Sequence, residues 1–422
     1  MENHDFFADI AMTQHPIGNE DKENPPREAV NKWFKESEEV FPYGSIRTPD
    51  EYTQEERYGK FLKDLEYQRK KYEPFMQNYT PEIRRAEVLE LKDFEFRYAQ
   101  DKEIFSQIND EGADWEKVTV PDYRGPEGKW KGYYKTNFKL DGDISENERI
   151  IINCQSVDYK ALIYVNGNFV GEHEGFFAPF EFDITDYVQS ENELVVEVHN
   201  DLTTKGDDGP IRDGDKIYAA TGPGWNDPYT GWHHCPAGAG IIGKVTIEKR
   251  NEIYIDDIFV RPDIDEGAVE LRLGVMNYNP DFPEEFEFNL LICPKNFKDG
   301  DNVEFNAEMK VIGAGKNEYR YHVPMKEFKL WDLDTPYLYS AVCTIKKDGK
   351  VVTQNAKHFG MRKFVSDETT TPKGKFFFNN KPFIMRGANE MGHLQQCVMN
   401  GDFNQLIDDI LIAKICHMNY YR

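Results

Sequence analysis

From about residue 90 the apolar and polar positions alternate with a period of two. "VTV" (118–120), "GYYKTNFKL" (132–140), "ERIIINC" (148–154), "KALIYVNG" (160–167) and "ELVVEVHN" (193–200) are short runs rich in β-branched and aromatic residues. Turn chemistry punctuates them: Asp141-Gly142, Asn166-Gly167 and Gly171. Many short strands with no long helix between them predict a β-sandwich. A second block follows over 251–365, with Asp348-Gly349 as a hairpin turn. About seven strands in a block of this length fit an immunoglobulin-like sandwich.

The two ends carry a helical period. "TPDEYTQEERYGKFLKDLEYQRKKYEPFM" predicts a helix with Thr48 as N-cap, Pro49 at the first position, and an apolar stripe of Tyr58, Phe61, Leu62, Leu65 and Tyr72. Its acidic start and basic end suit the helix dipole. Residues 1–30 are polar and charged, which predicts disorder. At the other end, "GKFFFNNKPFIMRGAN" reads as two short strands around Asn379-Asn380-Lys381. "DFNQLIDDILIAKICHMN" then gives an amphipathic helix with Phe403, Leu406, Ile407, Ile410, Leu411 and Lys414 at helical spacing, and "YYR" opens another strand. Strand, loop, helix, strand is the opening of a βα repeat. The expected organisation is a disordered 1–30, a helical extension 31–89, sandwiches over 90–250 and 251–365, and the start of a (β/α)8 barrel over 366–422.

Composition narrows the function. Asp and Glu total 76 against 51 Lys and Arg, a formal charge of −25. That balance repels phosphate backbones and anionic lipid, so neither a nucleic-acid nor a membrane partner is expected. No run approaches the roughly 18 apolar residues of a membrane span, and the acidic N-terminus lacks a signal-peptide core. Six cysteines scattered singly predict reduced thiols and a cytoplasmic protein, with no disulfide framework and no metal site. No cofactor is implied.

Several motifs bear on chemistry. "GAGIIG" (238–243) has the GxGxxG form, but a strand, "KVTIEK", follows where dinucleotide binding needs a helix. "WHHC" (232–235) has no second ligand cluster at zinc spacing. "TGPGWNDPYTGWHH" (221–234) places Trp225 and Trp232 on a Gly- and Pro-rich loop; such rings either stack on sugars or pack the loop against a neighbour. "RGANEMGH" (386–393) sets Arg386, Asn389, Glu390 and His393 just past a strand, where βα barrels carry their sites.

Taken in order, several phrases resemble glycoside hydrolase family 2, the group of β-galactosidases, β-glucuronidases and β-mannosidases. They are "ADWEKVTVP" with "GYYKTNF", then "ALIYVNGNFVGEHEGFFAPFEFDITDYV", "GIIGKVTIE", "WDLDTPYLY", "FGMRKF" and "FFFNNKPFIMRGAN" with "DDILIAKICHMNYYR". Ile242 stands where the family usually has Trp, and Met391 where many members have His.

The resemblance covers about residues 90–422. It implies a mainly β chain: a jelly-roll-like sugar-binding sandwich, an immunoglobulin-like sandwich, and the first βα elements of an incomplete TIM barrel. It also implies retaining hydrolysis of terminal β-linked sugars. The family's two catalytic Glu residues lie on later barrel strands, so no catalytic residue is assigned here and the chain alone is expected to be inactive, with its last 55 or so residues poorly ordered or self-associating. The resemblance carries Asp183, Asn389 and Arg422 to the sugar side, Asp183 being alternatively a turn residue that caps a strand end and Arg422 a strand-end charge; Glu390 is added by its position just past a strand, His393 as a substitute for the His replaced by Met391, and Trp225 and Trp232 by the aromatic loop. The expected partners are a carbohydrate substrate and either a second copy or a complementing barrel chain. The alternative is a non-catalytic carbohydrate-binding or scaffold protein, or one half of a split glycosidase.

Overall fold

The computed structural model describes residues 53–83, 87–99, 104–108, 114–122, 130–175, 178–200, 203–205, 211–213, 240–279, 284–311, 313–369, 373–390, 397 and 401–422. The chain divides into two compact units, Met1–Asp64 and Leu65–Arg422.

The described part of the first unit is the start of helix α1 (Gln54–Tyr72). Its cap corrects the sequence reading. Thr53 Oγ1 accepts from the Glu56 N–H (3.2 Å), and Glu56 Oε2 accepts from the Thr53 N–H (2.8 Å). This reciprocal capping box satisfies two otherwise orphaned donors. Thr48 and Pro49 lie outside the described residues. The predicted stripe also holds only in part: Leu65 and Tyr72 are buried, while Tyr58 and Leu62 are exposed.

The second unit is mainly β. In the first sandwich, β1 (Glu87–Leu91), β2 (Glu148–Cys154), β3 (Phe180–Asp183) and β4 (Val245–Asn251) form an antiparallel sheet in the order β1-β4-β2-β3. A six-stranded sheet faces it. Alternation decides what fills the space between. Ile150, Ile152 and Cys154 of β2 meet Ile163, Leu194, Val196 and Val198 of the other sheet, each fully buried. Asn166-Gly167 and Asp348-Gly349 form tight hairpin turns, with positive φ at both residues of each pair.

The second sandwich packs β5 (Ile253–Asp263), Ala268–Asn277 and Gly315–Pro324 against a four-stranded sheet ending at β6 (Lys350–Phe359). Leu271, Leu273 and Val275 interdigitate with Phe288, Leu290, Ala341 and Ile345. Burial pushes the thiols of Cys154 and Cys343 up to about 12, so both stay protonated and unreactive at neutral pH.

Only Glu252 separates β4 from β5. Its N–H donates to Asn147 O (2.8 Å), its carbonyl accepts from Tyr278 N (2.9 Å), and its carboxylate accepts from Asn279 Nδ2 (3.1 Å). Beside it, Arg250 pairs with Glu181 (2.9 Å) and Glu248 (2.7 Å) and lies over the Tyr254 ring. Tyr254 closes the loop by donating to Glu181 (2.8 Å).

A second junction leads out of the sandwich. The hairpin of β7 (Lys375–Phe378) and β8 (Lys381–Phe383) turns at Asn379-Asn380, both with positive φ. The buried Asn379 amide donates to Trp331 O (3.0 Å), and its oxygen accepts from Lys363 N (3.0 Å). Arg362 covers the Trp331 ring.

The end of α1 straps across these parts. Arg69 pairs with Asp408, Lys71 with Asp334 (2.6 Å), and the Tyr72 hydroxyl donates to Leu333 O (3.1 Å). Further on, Tyr79 N donates to Lys295 O, and the hydroxyls of Thr80 and Ser340 share a hydrogen bond.

Two outcomes are expected. Asn379→Ala strands the Lys363 N–H and the Trp331 carbonyl and leaves at positive φ a residue without the polar side chain that makes this conformation tolerable to Asn, costing about 2–4 kcal/mol; Asn379→Gly is free of the backbone strain and loses less, as thermal unfolding of both variants will show. Lys71 holds the Asp334 carboxyl below the usual carboxylate range. The strap's contribution is therefore complete above the unfolded value near 4 and is lost as pH falls through the lower folded value; hydrogen exchange at residues 65–72 should rise below about pH 4 but not between pH 5 and 8.

Candidate functional site

Two short parallel strands follow the hairpin: β9 (Gly387–Ala388) and β10 (Tyr420–Tyr421), joined through helix α2 (Phe403–Ile415). Asp402 caps α2 by accepting from Gln405 N (3.0 Å). The helix buries Leu411 and Ala413, whereas Phe403 and Ile410 of the predicted stripe are exposed. Lys414 donates to Leu333 O (2.6 Å) with its ammonium over the Tyr72 ring, so a position read as part of an apolar face instead anchors α2 to the strap.

Gly387 shows why the strands need a glycine: a Cβ there would sit 2.0 Å from Tyr420 O. The side chain of Asn419 locks the entry, accepting from Arg386 N (2.8 Å) and donating to Ile384 O (3.0 Å). Arg422 N then donates to Ala388 O (3.0 Å), and Glu390 N to Arg422 O (2.8 Å). This ladder brings Asn389, Glu390 and Arg422 together just past the C-terminal ends of the parallel pair. Asn389 and Arg422 are exposed and Glu390 is half-buried. An amide, a carboxylate and a guanidinium carried on these neighbouring strand ends are groups able to hydrogen-bond the hydroxyls of a sugar.

Burial, then the charges of Asp409 and Glu390 among others, raises the Tyr421 phenol. Burial and the nearby Asp409 carboxylate raise the Cys397 thiol.

Asp183 sits elsewhere, on β3. It accepts from both the N–H (2.9 Å) and the hydroxyl (2.6 Å) of Thr185, and its charge helps raise the half-buried Tyr278 phenol, after burial. His393, Trp225, Trp232 and "WHHC" lie outside the described residues. In "GAGIIG", residues Gly240–Ile241 form a strand and Val245–Asn251 another, so the residues after the motif build a sheet rather than a phosphate-binding helix.

Residues 253–362 match the model described as glycosyl hydrolases family 2, and residues 126–210 match the glycosyl hydrolase 2 galactose-binding domain-like model. Two stretches of the chain thus match models of glycosyl hydrolase family 2. Among the relatives of the chain is a β-galactosidase of Priestia megaterium, 24% identical over 66% of this chain and 25% of its own length. A β-galactosidase of Thermoanaerobacter pseudethanolicus is 26% identical over 62% of this chain and 32% of its own. The chain thus spans about a quarter to a third of these relatives. The fold is shared with Bacteroides uniformis β-glucuronidase 2 at a TM-score of 0.59 and 19% identity, covering 80% of this chain and 39% of that one. Among the described residues, no helix is long and apolar enough to cross a membrane.

The strand-end cluster was legible from "RGAN" and "YYR". The strap of Arg69, Lys71 and Tyr72 that holds α2 was missed. Its only sequence trace is the basic end of α1, which the helix dipole alone would explain. Gly387→Ala is expected to separate β9 from β10; faster hydrogen exchange of the Arg422 and Glu390 amides, with unchanged far-ultraviolet circular dichroism, will report it.

Proposed function

We propose that the chain is the substrate-side part of a retaining glycosidase acting on terminal β-linked sugars. The supporting observation is the parallel β9–β10 pair, whose C-terminal ends gather Asn389, Glu390 and Arg422 within a chain that matches family 2 models. In this reading the three side chains hold the sugar's hydroxyls. Hydrolysis needs two carboxyl groups about 5 Å apart, one protonating the leaving oxygen and the other attacking the anomeric carbon. Those groups come from further barrel strands, on the same polypeptide or on a complementing chain. The curated β-galactosidases support a galactose-like sugar, and Asp183 contributes from the sandwich.

The described chain alone should therefore bind a β-linked monosaccharide weakly and cleave aryl β-glycosides at no more than the buffer rate. Supplying the remaining barrel strands, fused or as a second polypeptide, should restore turnover. In that active form Arg422→Ala should lower kcat/KM by about 10²-fold, on the scale of losing one charged hydrogen bond in a desolvated site. Turnover by residues 1–422 alone, or an active form indifferent to Arg422→Ala, would refute the assignment.

A further inference from the structure

An open groove of about 780 Å³ runs between the outer face of the β1-β4-β2-β3 sheet and the wall made by β5 and β6. Asn389, Glu390 and Arg422 take no part in its lining. Register puts Glu90, Thr246, Asn153 and Glu181 in one row across its floor, because side chains alternate and the opposite face is core.

Most charges in the groove are already satisfied. Glu90 pairs with Lys244, Glu148 with Lys249, Glu181 and Glu248 with Arg250, and Asp256 with Lys316. Three groups are not. The amides of half-buried Asn153 and exposed Gln155, and the carboxylate of Glu87, have no side-chain partner among the described residues. These solvent-reaching groups can exchange their water for the hydroxyls of a ligand. Six lining carboxylates against three cations also disfavour an anionic ligand.

The apolar contribution is aliphatic. Val88 on one wall and Val351 on the other are each about half exposed. The lining's one aromatic ring, Tyr254, is buried beneath Arg250 and offers no stacking face.

From this geometry we propose that the groove is an accessory binding site for a neutral β-linked oligosaccharide, separate from the strand-end cluster. Asn153, Gln155 and Glu87 exchange hydrogen bonds with sugar hydroxyls, each of which both donates and accepts. Val88 and Val351 meet the C–H faces of successive rings. A flat aromatic ligand would find no stacking partner, and a uronic-acid oligomer would face net negative charge. The volume is within the range of sites that enclose small ligands.

The test is ligand-observed NMR and calorimetry on the full chain with cellotetraose and a β-linked galacto-tetrasaccharide, and a tetragalacturonate control. Saturating binding by a neutral tetramer, with the uronate at least about tenfold weaker, is the expected result. The Asn153→Ala/Gln155→Ala double variant should lose about fivefold or more in affinity, and so should the nearly isosteric Asn153→Asp, which guards against a folding artefact. No neutral tetramer binding at ~10 mM, equal binding of the uronate, or affinity unchanged in both groove variants would each overturn the proposal. None of these readouts depends on turnover, so they stand apart from the fate of the catalytic assignment.

Discussion

One residue links the two sandwiches, and that brevity governs the rest. With only Glu252 between β4 and β5, the last strand of one sandwich and the first of the next cannot swing freely. Burying Glu252 with both backbone groups and its carboxylate hydrogen-bonded turns a potential hinge into a rigid corner. The Arg250–Glu181–Tyr254 ring braces that corner from the side. Arg250 is largely shielded from water, so removing its carboxylate partners would leave a poorly solvated cation. The groove beside the corner inherits its shape from this rigidity.

The same economy carries outward to the strand-end cluster. Trp331 and Asn379 tie the entry hairpin to the second sandwich, and the strap from α1 ties α2 to the loop at Leu333 and Asp334. The β9–β10 pair is only two residues long on each side and could not hold Asn389, Glu390 and Arg422 unaided. Its position is imposed by packing on both flanks. Under the proposed function, rigid elements set the geometry and exposed residues past the strand ends supply the chemistry.

What could be read in the sequence was local. Asn166-Gly167, Asp348-Gly349 and Asn379-Asn380 announce tight turns because their backbones adopt positive φ cheaply, and the strands between them follow from alternation. Ile150 and Ile152 declare a core face by spacing alone. The helix start was misplaced because Thr48-Pro49 and Thr53 with Glu56 both form plausible caps, and reciprocal hydrogen bonding decides for the latter. What escaped was long-range: Arg69 with Asp408, Lys71 with Asp334, and the placing of Val88 and Val351 in one groove. Such pairings have no period and no motif, since charged helix ends and edge-strand valines are ordinary until the fold brings them together.

The strap imposes an order of events on synthesis. Residues 69–72 emerge from the ribosome long before Leu333, Asp334, Asp408 and Lys414, the groups they grip. Likewise β1 must wait for β4, more than 150 residues later, to become the edge of a sheet. Residues 69–72 and β1 thus find their partners late, while each sandwich can close around its own local hairpins first. The end of α1 is in that sense a late-closing clasp on the parts it grips.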